Sequence, residues 1–314
     1  MPDKASQANR AYPGGHFNVT IDGHKDTAYL KSLDGGWVKT NVMEEAVGSN
    51  QFRGKHSSVA EIEPITAELG ILGSGDMLKW MQGSWNRNPQ RRHGQCTHAN
   101  FNLRQTFTHE FWEALLLEAT IPSLDGASKE PGWLKVKWQP ERIVTTVMDD
   151  VNGPKLPPVV VESGQKLWSC ANFRFTIDGV AGMEKTKKIE SFTIKQGVKK
   201  HYMGMDRMPQ IEPTKIDFPN LQGQIALHHA GNLIKWYQQF VQNDKTINAP
   251  DAQKTGSIEF LDPSTGKTIF RIGLHDIGIV SLNIPGASAN QDVAKQLKYE
   301  LYVGWMDIEV PNAS

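Results

Sequence analysis

The sequence predicts a mainly β protein built as two tandem domains, each a β-sandwich or barrel with one α-helix. Three observations lead there. A strand-and-turn heptapeptide is written twice, as FNVTIDG at residues 17–23 and FRFTIDG at 173–179. Further segments recur downstream in the same order. Within each repeat, apolar residues alternate at the period of a strand, except over one stretch where they recur at the period of a helix.

The two heptapeptides lie 156 positions apart, as do Gly75–Trp80 (GDMLKW) and Gly231–Trp236 (GNLIKW). Ile62-Glu63-Pro64 matches Ile211-Glu212-Pro213 after a slip of seven residues. Ile121-Pro122 matches Ile284-Pro285, and Leu134-Lys135 matches Leu297-Lys298, both at a spacing of 163. Five anchors in one order imply an internal duplication, with loop insertions between them. A chain of 314 residues holds two domains of about 150. The expected division is 1–150 for the first domain, 151–168 for a linker and 169–314 for the second. Pro154, Pro157 and Pro158 make the linker stiff.

Each repeat opens with a strand. Phe17, Val19 and Ile21 share one face, as do Phe173, Phe175 and Ile177, and Asp-Gly follows as a tight turn. Alternation resumes at Trp37–Val42 and at Ser191–Lys195. Then come stretches without regular period, Glu44–Ser58 and Val198–Pro209, read as a long hairpin or arm, with a surface loop as the alternative. Candidate arm residues are Gly48, Asn50, Gln51 and Phe52 in the first, and Tyr202, Met203, Met205 and Met208 in the second. A helix follows. Its apolar stripe is Met77, Trp80 and Met81, running on to Ser84 and Trp85, in one repeat. In the other it is Leu233, Trp236, Tyr237, Phe240 and Val241. Asp76 and Asn232 stand at the expected cap positions. Ser257–Leu261, a turn at Asp262–Gly266 and Lys267–Arg271 read as a hairpin. Both repeats close on an alternating strand, Leu134–Trp138 and Leu297–Trp305. A single helix cannot cover two sheet faces, so it should sit at one side or end of a sandwich or barrel.

Composition narrows the function. Lys plus Arg and Asp plus Glu number 34 each, and the balance holds in each half, which argues against a general nucleic-acid binder. Two cysteines, Cys96 and Cys170, give no disulfide framework and read as reduced thiols. The first fifteen residues carry no apolar stretch, so no signal peptide is expected, and no apolar run is long enough to span a membrane.

Catalytic signatures fail on inspection, and no catalytic, metal or cofactor residue is assigned. Ser264-Thr265-Gly266-Lys267-Thr268 ends like a phosphate-binding loop. However, Leu261 stands where the motif needs glycine, and strand rather than helix follows. His93, Cys96 and His98 are close in sequence, but structural zinc takes four ligands, so a solvated loop is expected there. His109-Glu110 lacks the second histidine of a zinc protease motif. Adjacent Asp149 and Asp150 point apart on an extended chain. The protein therefore reads as a non-enzyme.

The order of elements resembles the phage tail tube protein family, whose fold is shared by the inner-tube proteins of contractile injection systems and type VI secretion. The resemblance rests on FRFTIDG, on Asn232–Trp236, and on Gln296–Asp307 after Ile284-Pro285-Gly286. In the first repeat it rests on FNVTIDG, Asp76–Met81 and Trp133–Trp138, with a departure at Asn86–Asn100. It implies a virion or injection-particle tube protein, assembled in the bacterial cytoplasm, whose rings stack around a lumen that passes DNA or effector proteins without sequence-specific binding. It implies arms that reach neighbouring subunits, a trimer of pseudo-sixfold symmetry, and other tail or baseplate proteins as partners. Two alternatives remain open: a baseplate hub or tail-completion ring of the same fold, and a tandem β-sandwich that binds carbohydrate.

Overall fold

The computed structural model describes residues 16–22, 30–46, 48, 53–70, 75–148, 153–156, 168–204, 206–242, 253–284 and 295–309. In the first half, β1 is His16–Ile21, β2 Leu30–Asp34, β3 Val38–Ala46, β4 Arg53–Ile62 and β5 Ile65–Leu69. The helix α1, Gly75–Trp85, precedes β6 (Arg92–Ala99), β7 (Gln105–Ile121), β8 (Leu124–Asp125), β9 (Leu134–Gln139) and β10 (Arg142–Val147). In the second half, β11 is Phe173–Ile177, β12 Thr186–Ile189, β13 Phe192–His201, β14 Gln210–Asp217 and β15 Leu221–Ala226. The helix α2, Gly231–Tyr237, runs into a π-helical turn at Gln238–Gln242. Then come β16 (Lys254–Leu261), β17 (Thr268–Asn283), β18 (Gln296–Tyr302) and β19 (Trp305–Glu309).

The chain is mostly β with one α-helix in each half, and the strand orders coincide. The first half runs β1-β6-β7-β9-β5-β2 with β10 on β7; the second runs β11-β16-β17-β18-β15-β12 with β19 on β17. Ladder register aligns the halves more finely than motifs do. Val42 faces Ser57, and Val198 faces Pro213, so the spacing of 156 continues unbroken through the arm to β5 and β15. The match of Ile62-Glu63-Pro64 with Ile211-Glu212-Pro213 is therefore accidental: Ile211 takes the ladder position of Lys55. Hydrogen-bond register fixes a residue's place, whereas a tripeptide of common residues does not. From β7 onward the spacing is 163.

The long strands β7 and β17 are bent by the same device. Glu113 (φ 51°) and Asp276 (φ 55°) are non-glycine residues in the left-handed region, at equivalent positions, where the ladder to β6 or β16 shifts register. Such a bulge re-aims a strand. Before it, β7 pairs with β6 and β10; after it, with β9. One strand thus serves two sheets and wraps the core.

The helices close that core. α1 buries Met77, Leu78, Trp80, Met81, Ser84 and Trp85, and the Trp80 indole donates to the Gln90 carbonyl at 2.8 Å. α2 buries Leu233 and Trp236, while Tyr237 and Phe240 are partly buried against the core. The expected caps are displaced. Asp76 and Asn232 lie inside the first helical turns. The residue before α2 is Ala230, and Asn232 instead donates to the Ala181 carbonyl at 3.0 Å. The cause is the 3-10 turn at Leu227–His229, which runs straight into α2 and leaves no extended residue at its entry.

Buried apolar residues of both halves form one cluster. Trp168, just before the second repeat, packs on Phe260 and Phe270. Gly132 lets it in, because a Cβ there would lie 1.9 Å from the Trp168 ring. His93, Cys96 and His98 are not in a solvated loop: they lie on β6, between β1 and β7, because the basic segment pairs on both sides. Burial pushes the Cys96 thiol up. Asp262–Gly266 forms the β16–β17 turn, with the Asp262 carboxylate accepting from the Ser264 hydroxyl and amide, which draw its pKa down to about 2.

Candidate assembly interface

The two halves join edge to edge. The root of β13 pairs antiparallel with the end of β7: Phe192 opposite Ile121, Thr193 opposite Thr120, Ile194 opposite Ala119 and Lys195 opposite Glu118. Just before it, Lys188 and Ile189 of β12 pair with Asp125 and Leu124 of β8. Strand pairing therefore crosses the boundary twice. β13 and β14 join the nine-stranded sheet that holds β2, β5, β9 and β7, and β8 joins the eight-stranded sheet that holds β12, β15, β18 and β17. The chain passes from one sheet to the other between β12 and β13. Phe192, Ile194, Ala119 and Ile121 seal the core face, and the Thr120 and Thr193 hydroxyls bond at 2.9 Å on the other.

Two further contacts lock the junction. α1 lies beside β19, and the Gln82 amide donates to the Ile308 carbonyl at 2.7 Å. Arg91 is a charged clamp. Its guanidinium bonds the Glu141 carboxylate, donates to the Ile211 carbonyl at 2.6 Å and reaches Glu212 at 3.3 Å. The same Glu141 oxygen accepts the Ile211 amide at 2.8 Å. Charge-assisted bonds of this kind are the stronger class, and here they fasten β14 of one half to the other half.

The outer edges of the two joined sheets carry no strand among the described residues. These are the edge of β2 and the run of β17 from Gly278 to Asn283. Beside the first end stands the arm. β3 and β4 form a separate two-stranded hairpin, and every residue of β3 is exposed. Lys55 and Arg53 brace Glu44 at 2.9 and 3.4 Å. A two-stranded ribbon is marginal in water by itself.

Both arms are longer than Glu44–Ser58 and Val198–Pro209: the hairpins run from Val38 to Ile62 and from Phe192 to Asp217. Period gave little signal there because β3 is exposed throughout and β13 is exposed from Lys199 to His201. Of the expected arm residues, Gly48 sits exposed in the first turn at φ 57°. Asn50, Gln51, Phe52 and Met205 lie outside the described residues. Met203 is exposed, and Met208 is partly buried against the core, so it packs rather than projects. Tyr202 donates to Glu61 at 3.1 Å, beside a Lys200–Glu61 ion pair at 3.1 Å. The Lys200 ammonium, with the Tyr202 hydroxyl, holds the Glu61 carboxyl below its ordinary range.

At the first arm's root lies an aromatic-histidine cluster. The Trp37 ring meets His109 edge-on at 4.7 Å, and His98 stacks on Phe107 at 4.2 Å. His109 Nδ1 bonds the Thr145 hydroxyl at 2.7 Å, while its buried Nε2 has no hydrogen-bond partner among the described residues. Burial depresses the basicity of both imidazoles, and for His98 the neighbouring His109 adds to it. The sequence singled out neither this cluster nor Arg91, Glu141 and Ile194. The spacing of 156 was the available signal for Ile194, since it sets that residue on Val38. The others meet only through folding.

Among the described residues no group of three or more His, Cys, Asp or Glu is placed to hold a metal ion. No helix among the described residues is long and apolar enough to cross a membrane.

No protein-family model and no curated protein matches the sequence. Among solved structures, the chain is similar to a component of the PVC sheath–tube complex, an extracellular contractile injection system in its extended state. The identity is 16% and the TM-score 0.41, over 47% of this chain and 100% of that one. It is similar to a chain of the anti-feeding prophage tube-terminating cap at 16% identity and TM-score 0.38, over 45% and 93%. Hcp1 from Flavobacterium johnsoniae matches at 12% identity and TM-score 0.26, over 44% and 94%.

Proposed function

We propose that this protein is a structural, non-catalytic subunit that closes rings with copies of itself, the rings stacking into a hollow tube. One observation carries the reading: the halves are joined by a lateral strand junction, and the equivalent strands at the two outer edges are unpaired among the described residues. A head-to-tail junction that repeats closes into a ring when the rotation closes. Ring closure also removes exposed sheet edges, which otherwise template aggregation.

In this reading the halves, 1–150 and 169–314 with a linker at 151–168, descend from one duplicated domain. Three chains present six near-equivalent units. If β2, β5, β9, β7, the joined β12 and β13, β15, β18 and β17 together line the lumen, each chain gives eight strand positions, and three chains give a barrel of about 24 strands. Spaced by about 4.8 Å and tilted by about 40°, they enclose a backbone diameter of about 48 Å, wide enough for duplex DNA or a small folded effector. The arms then contact adjoining subunits or the next ring, and other tail or injection-particle proteins cap the ends.

The test is negative-stain electron microscopy of the purified chain, with light scattering across concentration. Tubes or rings of three chains are expected. Rings that never extend would assign the chain to a hub or terminating ring instead. A protein that stays monomeric at every concentration overturns the reading.

A further inference from the structure

The halves are not equally covered, and the pattern of exposure locates a partner. Ile194 and Val38 occupy the same ladder position, yet Ile194 is 2% exposed and Val38 43%. Ile121 is 1% exposed and its counterpart Ile284 50%. On the helices, Trp85 is 3% exposed and its counterpart Val241 43%. On the strand against α1, Ile308 is buried, whereas its counterpart Thr145 on β10 is exposed. At these four positions, what the internal junction seals is open where that junction would recur, while Leu282, the counterpart of Ala119, is half-buried.

We infer that a second copy of this chain fills the open rim, and that it docks by repeating the internal register. Lys39 of one copy then lies opposite Ser281 of the next, Val38 opposite Leu282, and Trp37 opposite Asn283. These are the counterparts of Lys195–Glu118, Ile194–Ala119 and Thr193–Thr120. The α2 end of the same rim sits beside β10 of that copy, so Gln238 meets the Thr145 carbonyl as Gln82 meets that of Ile308. This rests on the ring-forming reading and adds its contact map. The occupant is fixed from within the molecule: the filled version of this rim, inside the chain, is filled by the other repeat.

The glycines at the arm root have a place in this junction. Gly35 (φ 90°) and Gly36 (φ 82°) stand where the second half has Ser191 and Phe192. In the single chain they turn Trp37 onto His109. Glycine adopts extended backbone as readily, so the root can swing into line with the rim at little conformational cost. Docking therefore draws Trp37 away from His109.

Cysteine pairs test the register. Full-length Lys39→Cys and Ser281→Cys variants are co-assembled and mildly oxidised, then run on non-reducing gels beside micrographs of the same samples. Lys39 and Ser281 are both exposed, and the native Cys96 and Cys170 are buried. A disulfide-linked dimer that requires both variants is expected. Its yield should exceed at least tenfold that of Lys39→Cys with Leu282→Cys, since one residue of slip turns a side chain to the opposite face. Trp37→Cys with Asn283→Cys is the second matched pair. Assembled particles that link neither matched pair, or that favour the slipped one, overturn the register and leave ring formation standing. A wild-type chain that never assembles overturns both.

Discussion

Val38 and Ile194 are both aliphatic, and both lie on the third position of an arm root, one in each half. Only Ile194 is buried. What buries this position is therefore the neighbour rather than the residue. The junctions also differ in how they are fastened. The internal one carries the Arg91–Glu141 clamp on Ile211 and Glu212. By ladder position, their counterparts at the open rim are Gln253, Gly304, Lys55 and His56, which cannot rebuild it. One chain carries both sides of the internal junction, and charge reinforces it; the proposed junction at the open rim has neither support.

Matched substitutions sharpen this contrast most. Ile194→Asp places a carboxylate in the sealed core and should destabilise the chain by more than about 4 kcal/mol. Val38→Asp should leave the monomer within about 0.5 kcal/mol of wild type, yet abolish assembly. Denaturant titration and light scattering read the two effects. Equal destabilisation by both would mean that the first arm's root is buried within the single chain, and the contrast would be lost.

The clamp comes next. Arg91→Ala leaves the Glu141 carboxylate half-buried without its cation and removes a donor from the Ile211 carbonyl. A loss of about 2 kcal/mol is expected, discounted from the buried-pair range because Arg91 keeps partial access to water. At the open rim, Gln253→Ala should cost under about 0.5 kcal/mol. If Arg91→Ala costs as little, the internal junction is held by strand pairing alone.

Much of this fold was legible in the sequence because burial on one face imposes a period. β1 and β11, the helix stripes, and β9 and β18 all alternate or recur as packing demands. The arms were outlined but not bounded, because residues that face water on both sides, as throughout β3, obey no period. The junction was illegible for a different reason. Phe192-Thr193-Ile194-Lys195 reads as an ordinary strand, and nothing local says that its partner is Glu118–Ile121, some seventy residues back. Arg91 and Glu141 likewise meet Ile211 only after the halves dock.

The smallest effect concerns pH, and it separates the halves once more. At the ladder positions of His109 and Thr145, the second half has Ile272 and Ile308, both buried and neither able to titrate. The groups facing His109 are Trp37, Phe107, His98 and Thr145, with no carboxylate among these contacts to stabilise an imidazolium. Burial lowers the folded-state pKa of His109 and His98, so the unfolded chain binds more protons just below pH 6.5. Stability is then full above that pH and falls as pH drops toward the folded-state values. Glu61, also depressed, loses its contribution only below the ordinary carboxyl value of 4.5, so the two windows are distinct. Between pH 6.5 and 5 the melting temperature of the wild type should fall by a few degrees. His109→Ile with Thr145→Ile copies the second half's pair into the first, and should make that slope shallower, His98 keeping its own part, while leaving the loss below pH 4.5 in place. An unchanged slope in the double variant would move the acid-sensitive group elsewhere in the chain.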